Sequence, residues 1–234
     1  MRNFIDPASE HAKAVAEVAK TAGKAIDASR EAGGFISRFI GGPLEQGMGI
    51  FEDRLRYMRW ERQVRLMRRT EEVLHELGIN SPTRPVPMKI AIPLFQAASM
   101  EEDDSLQDRW VNLLVNVANT NSGVEVNRSY IEILSQITPL EAQILDTLYS
   151  LPFAEMQHTG VLTADLPSRA SLAPKNSSSW SGDPAYEITL SLANLARIGT
   201  LRPTLTMGGG ESFRRVTPTI LGSAFVSACR IGMP

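Results

Sequence analysis

Seven arginines lie close together between residues 54 and 69, with Tyr57 and Trp60 among them. Guanidinium groups interleaved with aromatic rings can bind phosphates or anionic lipid. Arginine is also a good helix former whose stem covers apolar surface and whose head pairs with carboxylates, which Glu52, Asp53 and Glu61 supply nearby. We favour a solvated or salt-bridged face. The alternative is a site for an anion, a lipid or a partner formed by Arg54, Arg56, Arg59, Arg62, Arg65, Arg68 and Arg69.

A second charged cluster, Glu101 to Asp104, consists of four consecutive acidic residues. Paired carboxylates can bind a metal or act as general acids. Consecutive residues, however, point around a helix instead of converging on one point, and carboxylates at a helix N-terminus interact favourably with its dipole and free amides. The spacing matches no metal-binding motif. We predict a structural role for this cluster and no metal site.

Catalytic arrangements are not visible elsewhere in the sequence. His11, His75 and His158 lie in different segments without the ligand spacing His-Glu-x-x-His, and no glycine-rich loop ends in Gly-Lys-Ser/Thr. Gly208 to Gly210 fits a turn, and Cys229, near the end of an apolar helix, fits a small buried hydrophobic residue. The sequence therefore predicts no catalytic or cofactor-binding residues, no cofactor, and a protein that is not an enzyme.

The composition is that of an ordinary folded protein. Its 234 residues are 43% hydrophobic, and 24 basic against 26 acidic residues give a net charge of -2. Neither nucleic acid nor an anionic membrane is therefore attracted by the overall charge. No run approaches the ~20 apolar residues that span a bilayer, and no signal-peptide pattern is present. A cytoplasmic protein is predicted, with peripheral contact at the inner membrane left open.

The elements that would position these groups begin with a long helix over the first 40 residues. Its apolar positions recur at spacings of three and four but are mostly small, so this stripe buries little area and needs a partner. The positions are Val15, Val18, Ala22, Ile26, Ser29, Gly33, Ile36 and Ile40. We favour the rest of the protein, a second copy or another protein as this partner, and a bilayer interface is the alternative.

Glycines between Gly33 and Gly49, together with Pro43, predict a helix break, after which Ile50 to Leu77 forms the arginine-rich helix. The prolines that follow predict a stiff, extended linker. We divide the chain into an N-terminal helical region at 1–80, the linker at 81–88 and a helical domain at 89–234. The predicted fold class is mainly α, with long N-terminal helices and a central helical bundle.

Two helix starts carry local signals. Ser99 and Glu102 form a candidate capping box for a helix that buries a tryptophan, and the two aspartates that follow are alternative caps. Thr138, Pro139 and Glu141 predict a second capping box, with proline at the first helical position where its missing amide costs nothing.

The C-terminal third has its own order of elements. Asp183 and Pro184 predict the start of a helix that continues to Gly199. The apolar face predicted for this helix consists of Ile188, Leu192, Leu195 and Ile198. Two β-rich stretches then flank three glycines and predict a hairpin, and Thr217-Pro218 predicts the start of a last helix. The order helix, helix, hairpin, helix at about 139–230 is typical of a winged-helix-like module.

A winged helix often binds DNA, but the helix that would enter the major groove carries only Glu187 and Arg197 as charges. It lacks an array of Arg, Lys, Asn and Gln side chains that could read base edges, and its one asparagine, Asn194, is not enough. The hairpin has three candidates for weak, salt-sensitive contact with the DNA backbone: Arg202, Arg214 and Arg215. We favour a structural or protein-docking module over binding of nucleic acid.

Two segments together resemble a known family. Pro93 to Asn116 reads P-L-F-Q-A-A-S-x-E-E-D-x-x-L-Q-D-x-W-x-x-L-L-x-N, and Ile133 to Asp146 reads I-L-S-Q-I-T-P-L-E-A-x-I-L-D. This combination resembles the Abi-alpha family of bacterial abortive-infection proteins. The resemblance implies antiphage defence in a bacterium or a mobile element, and it brings no catalytic residues with it.

The functional prediction joins these observations. We expect a non-enzymatic antiphage-defence protein that acts through association of its N-terminal helices with a protein, including a second copy, or with a membrane surface. One alternative is a DNA-binding winged-helix regulator. A second alternative is an enzyme acting on nucleic acid or nucleotide.

Overall fold

The computed structural model describes residues 33–40, 60–174 and 182–232 of the chain. Over these residues the protein is mainly helical, with a small antiparallel sheet of four strands. The predicted mainly α fold class is therefore confirmed. The chain divides into two compact units, Met1–Met100 and Glu101–Pro234. Most of the predicted first helix and the start of the arginine-rich helix lie outside the described residues.

The described helices of the first unit are α1 at residues 33–40, α2 at Trp60–Glu76 and α3 at Met88–Met100. The end of α2 follows the prediction, because Gly78 has a φ of 68°, in the left-handed region that glycine adopts without strain. Gly33 and Gly34, where a helix break was predicted, are helical. The remaining glycines of that predicted break lie at 41–49, outside the described residues.

Aromatic rings form part of the core of the first unit. The ring centroids of Phe35 and Phe39 lie 4.9 Å apart, and they lie 5.9 and 6.1 Å from the ring of Phe95 on α3. The predicted stripe ran through Ile36 and Ile40, and Ile36 is buried as predicted. The prediction that this stripe lacks large side chains is wrong for α1. The buried face of α1 consists of Phe35, Ile36 and Phe39, because large rings remove more apolar area from water.

The predicted linker at 81–88 is held in place at Val86. This residue is fully buried, and its amide donates a hydrogen bond to the carbonyl oxygen of Phe39 at 2.7 Å. Helix α3 follows directly and contacts α2. Helix α3 thus lies in the first unit, whereas the division drawn from the sequence placed it in the domain after the linker.

The second unit contains six α-helices and a four-stranded sheet in its described residues. The helices are α4 at Asp104–Val117, α5 at Arg128–Leu134, α6 at Pro139–Leu148, α7 at Phe153–Thr159, α8 at Tyr186–Arg197 and α9 at Ile220–Ala228. The strands are β1 at Val161–Leu162, β2 at Ser171–Leu172, β3 at Leu201–Leu205 and β4 at Glu211–Pro218. Their order is β2-β1-β4-β3, with antiparallel neighbours. The predicted hairpin is confirmed as β3 and β4.

The two predicted helix starts have different outcomes. At α6 the capping box is confirmed, since the Thr138 hydroxyl accepts from the Glu141 amide at 3.2 Å and the Glu141 carboxylate accepts from the Thr138 amide at 2.7 Å. The box of Ser99 and Glu102 is wrong, because the Ser99 hydroxyl donates to the carbonyl oxygen of Phe95. The alternative cap, Asp103, is confirmed by two amides that donate to its carboxylate.

Two further helix starts differ from the prediction. Helix α8 has Ala185 at its N-cap and no side-chain cap, because the carboxylate of Asp183, the predicted cap, pairs with Arg214. The N-cap of the last helix is Thr219, whose hydroxyl accepts from the amide of Gly222 at 2.9 Å. Thr217 and Pro218, predicted to open that helix, instead end β4, where they pair with β3.

The core of the second unit is centred on α4. Trp110 is 1% exposed, as predicted for a core anchor. Tyr149, which follows α6, links α6 to the end of the hairpin, because its hydroxyl donates to the carbonyl oxygen of Thr200 and accepts from the amide of Thr219. Gly222 on α9 leaves room for this hydroxyl, since a Cβ atom there would lie 2.1 Å from both the Tyr149 hydroxyl and the Thr200 carbonyl oxygen.

Candidate functional site

The arginine-rich helix is described from Trp60 onward. Of the seven candidate arginines, Arg54, Arg56 and Arg59 lie outside the described residues, and Arg62, Arg65, Arg68 and Arg69 lie on α2. Arg68 and Arg69 both pair with Glu72, at 3.7 and 3.0 Å. These two ion pairs agree with our interpretation of the arginines as a solvated or salt-bridged face. Binding of an anion, a lipid or a partner stays a prediction.

A groove of about 440 Å³ runs along α1 and α2. Apolar side chains, among them Val64 and Met67, form part of its wall. Arg38 pairs with Glu71 at 2.7 Å, and its guanidinium carbon lies 5.3 Å from the ring centroid of Phe35. The charge of Arg38 is therefore compensated within the groove, and the aromatic ring orients its guanidinium group.

A larger groove of about 670 Å³ lies between the start of α8 and the hairpin. The carboxylate of Asp183 and the guanidinium of Arg214 pair there in a bidentate geometry. The hydrogen bond from Arg214 holds the pKa of Asp183 below its ordinary value. The hydroxyl of Thr204 donates to the Arg215 carbonyl oxygen, and that of Thr206 accepts from a backbone amide. These polar groups thus already make hydrogen bonds or ion pairs within the fold.

The three arginines predicted to touch a DNA backbone have separate environments. Arg214 forms the ion pair with Asp183. Arg215 is half-buried, with its stem so close to Gly160 that a Cβ there would lie 2.9 Å from the Arg215 Cγ and Cδ atoms. Arg202 is exposed on β3, at the edge of the sheet. Their role in binding DNA stays a prediction.

Apolar side chains stand in solvent on α8 and at the tip of the hairpin. Tyr186 is 83% exposed and Leu190 is 61% exposed, and on the hairpin Leu205 and Met207 are also exposed. The sequence pattern predicted the buried stripe of α8, but the exposed apolar stripe on the opposite side of the helix was not predicted. The available signal was the recurrence of apolar residues on both sides of the helix.

A partly buried polar contact, which we call the C-terminal cluster, joins the end of α9 to α4 and α6. The Asn116 side chain donates to the carbonyl oxygens of Ala228 and Arg230 at 2.9 and 2.8 Å, and Asn112 donates to that of Cys229 at 3.0 Å. Arg109 and Arg230 both pair with Asp146. The cluster is formed by Arg109, Asn112, Asn116, Asp146 and Arg230.

Two titratable groups of this region have shifted pKa values. Burial acts to raise the pKa of Asp146, but hydrogen bonds and charges from Arg109 and Arg230 outweigh it and hold the pKa below its ordinary value. Burial raises the pKa of the Cys229 thiol to about 12. Because the thiolate is the reactive form, this cysteine is a poor nucleophile. The predicted small buried hydrophobic residue is confirmed, with 2% exposure.

The remaining candidate groups stay apart in the described part of the chain. No group of three or more His, Cys, Asp or Glu that could hold a metal ion occurs among residues 33–40, 60–174 and 182–232. The acidic cluster at 101–104 has the predicted structural role, since Asp103 caps α4 and the carboxylate of Glu101 accepts from the Asp103 amide at 3.0 Å. Across the same residues, no helix combines the length and the apolar character that crossing a membrane needs.

These features define a mainly helical protein with a small antiparallel sheet. The sequence model of the abortive infection alpha family matches residues 61–229, and the chain belongs to this family. The resemblance seen in the segments 93–116 and 133–146 is thereby confirmed. No match to a curated protein or to a solved structure was found. Family membership associates the protein with abortive-infection defence.

Proposed function

We propose that this protein acts against phage without a catalytic step, by association of its N-terminal helices with a partner protein, including a second copy. The family match supports the defence role. The charge balance of α2 favours a protein partner over anionic lipid, because Trp60–Glu76 contains four arginines and four glutamates. A helix with equal numbers of both charges has little attraction for an anionic surface. A membrane surface remains the alternative partner.

Phage challenge tests the defence role. Cells that express the full chain are expected to lose viability on infection and to release fewer phage than cells with an empty vector. Equal phage release from the two cultures would overturn the defence proposal. The measurements are phage titre and viable counts after infection at high multiplicity.

Charge reversal on α2 tests the mode of action. The double variant Arg68→Glu/Arg69→Glu is expected to weaken protection, because it removes both cations that pair with Glu72. The matched control is Arg128→Glu, which breaks an exposed i,i+4 pair with Glu132 in the second unit. Protection that survives the double variant would contradict a role for this helix. Flotation of the full chain with anionic vesicles would instead support the membrane alternative.

Residues 139–230 are proposed to form a winged-helix-like module. Helices α6, α7 and α8 precede the hairpin, and β1 pairs with β4, which is the arrangement expected of such a module. DNA binding by it has less support. The second unit contains fourteen Asp and Glu against nine Lys and Arg, and the exposed face of α8 presents Tyr186 and Leu190. Binding to duplex DNA at low salt, lost in Arg202→Glu, would restore this alternative.

A further inference from the structure

We propose that two copies of this chain associate through the outer face of α8, with the two helices antiparallel about a two-fold axis. The outer face consists of Tyr186, Leu190, Ala193 and Arg197. This self-association does not depend on the proposed role in defence, and it uses the second unit instead of the N-terminal helices.

Helix α8 has two stripes on opposite sides. The buried stripe is Ile188, Ser191, Leu192 and Leu195. The residues of the outer face follow one another at spacings of four, three and four, so their side chains lie in one line along the helix. A helix that meets solvent on one side normally carries polar residues there. The outer face of α8 instead exposes Tyr186 at 83% and Leu190 at 61%. Large apolar side chains such as these are normally covered by another packed element, for example a second helix.

The two charged residues of α8 lie near its opposite ends, in a self-complementary order. Glu187 is exposed near the start of α8 and Arg197 is exposed at its end. The two lie about 15 Å apart along the axis at 1.5 Å per residue. A two-fold axis at the level of Leu192 sets Glu187 of each copy opposite Arg197 of the other. The two Leu190 side chains then lie side by side near the axis.

The guanidinium group of Arg197 is already oriented. It donates to the amide oxygens of Asn194 and Gln136, at 2.7 and 3.0 Å for Nη2. Amide oxygens accept hydrogen bonds but carry no net charge, so they fix the direction of the group without cancelling its charge. A carboxylate from a second copy adds the opposite charge at little cost in side-chain entropy.

A second copy fits this face better than other occupants. An acid and a base at opposite ends of one helix are matched by the same helix turned around, which is the rule for a two-fold interface. The acidic balance of the second unit, fourteen Asp and Glu against nine Lys and Arg, disfavours DNA and anionic lipid. Because α8 has only 12 residues, the interface is small, and dissociation in the micromolar range is expected.

The first experiment measures self-association of the full-length protein by sedimentation velocity over a range of concentrations. The wild-type chain is expected to form dimers, and Leu190→Asp is expected to weaken the dimer at least about tenfold. Ile220→Asp is the matched control, because Ile220 is a similarly exposed aliphatic residue at 76% on α9. Thermal melts of all variants separate a lost interface from a lost fold.

The second and decisive experiment exchanges the two charges of α8 and measures self-association again. Glu187→Arg and Arg197→Glu each place like charges opposite each other in the dimer, so each variant alone is expected to dissociate about tenfold more readily. An equimolar mixture of the two variants restores both attractive pairs and is expected to recover the dimer. A monomer at all concentrations overturns the proposal. So does a dimer that Leu190→Asp leaves intact, or a mixture that associates no better than its components.

Discussion

The C-terminal cluster and the outer face of α8 belong to the same unit but differ in how their groups are satisfied. In the cluster, two asparagines donate to three backbone carbonyls and Asp146 pairs with two arginines. On the outer face, Tyr186 and Leu190 are exposed to solvent. Satisfied buried polar groups specify one native arrangement, whereas exposed apolar residues contribute little until a partner covers them. The difference separates residues that hold this unit together from residues available for association.

The arginine-rich helix and α8 differ in how their charges are arranged. It is the most conspicuous charged segment of the sequence, yet α2 balances four arginines with four glutamates. Helix α8 carries few charges, but it places one of each sign at opposite ends of an apolar face. The arrangement of charges, more than their number, distinguishes a surface built for a partner.

The largest expected effect comes from filling the space at Gly222. Gly222→Ala places a methyl group within 2.1 Å of the Tyr149 hydroxyl and the Thr200 carbonyl oxygen. Overpacking together with the lost hydrogen bond should lower the free energy of unfolding by about 3 kcal/mol. Chemical denaturation measures this change. Gly34→Ala, where an added Cβ meets nothing within 4 Å, is the control and should be neutral or slightly stabilising.

The next effect concerns the amide of Asn116 in the C-terminal cluster. Asn116→Ala leaves the carbonyl oxygens of Ala228 and Arg230 without this donor. Loss of a buried donor to two acceptors should cost about 2 kcal/mol of unfolding free energy. Asn112→Ala removes a single bond, to the Cys229 carbonyl oxygen, and should cost about half as much. Equal stability of Asn116→Ala and the wild type in urea denaturation would contradict the role given to the cluster.

A smaller effect is expected from pH. The pKa of Asp146 is lowered in the folded state by Arg109 and Arg230 against the opposing effect of burial. Its contribution to stability is complete above the ordinary carboxyl pKa and is lost as the pH falls through the lower, folded pKa. Because the Asp146 side chain is 39% exposed, solvent screening should keep this contribution at or below about 1 kcal/mol, the range of partly exposed ion pairs. Asp146→Asn should flatten the acid limb of the stability profile, whereas Asp183→Asn, at an exposed pair, should change it less.

The smallest effect on stability is expected on the outer face. Leu190→Asp should change the free energy of unfolding of the monomer by no more than about 0.5 kcal/mol, because the side chain is exposed. The same variant should have the largest effect on self-association. If it instead destabilises the monomer as strongly as Asn116→Ala, the division between the cluster and the outer face does not hold.

Local chemistry was predictable from the sequence and distant pairing was not. The capping box of Thr138 and Glu141 needs only residues three apart, and the hairpin needs only its glycines and flanking strands. The failed cap at Asp183 reflects competition from Arg214, which lies 31 residues away. Strand β1 has two residues and owes its place to pairing of Val161 with Val216. No local pattern encodes such a partner.

The same limit applies to the outer face of α8 and to the arginines of α1 and α2: local positions could be predicted from the sequence, and contacts with distant residues could not. Periodicity assigned residues of α8 to one side or the other, but it does not say whether the second side is covered. Only the exposures of Tyr186 and Leu190 identify an open face. Likewise, the sequence located the arginines, whereas the pairing of Arg38 with Glu71 depends on how α1 lies beside α2.

The burial of Cys229 makes this residue a reporter of motion. It is the single cysteine of the chain, and its backbone carbonyl is held by Asn112. A thiol reagent can modify it only in molecules where the last helix has momentarily separated from α4. The rate of labelling therefore counts those openings under native conditions, without any engineered probe. A substitution that weakens the C-terminal cluster should therefore raise the rate of Cys229 labelling, even when it hardly changes the melting temperature.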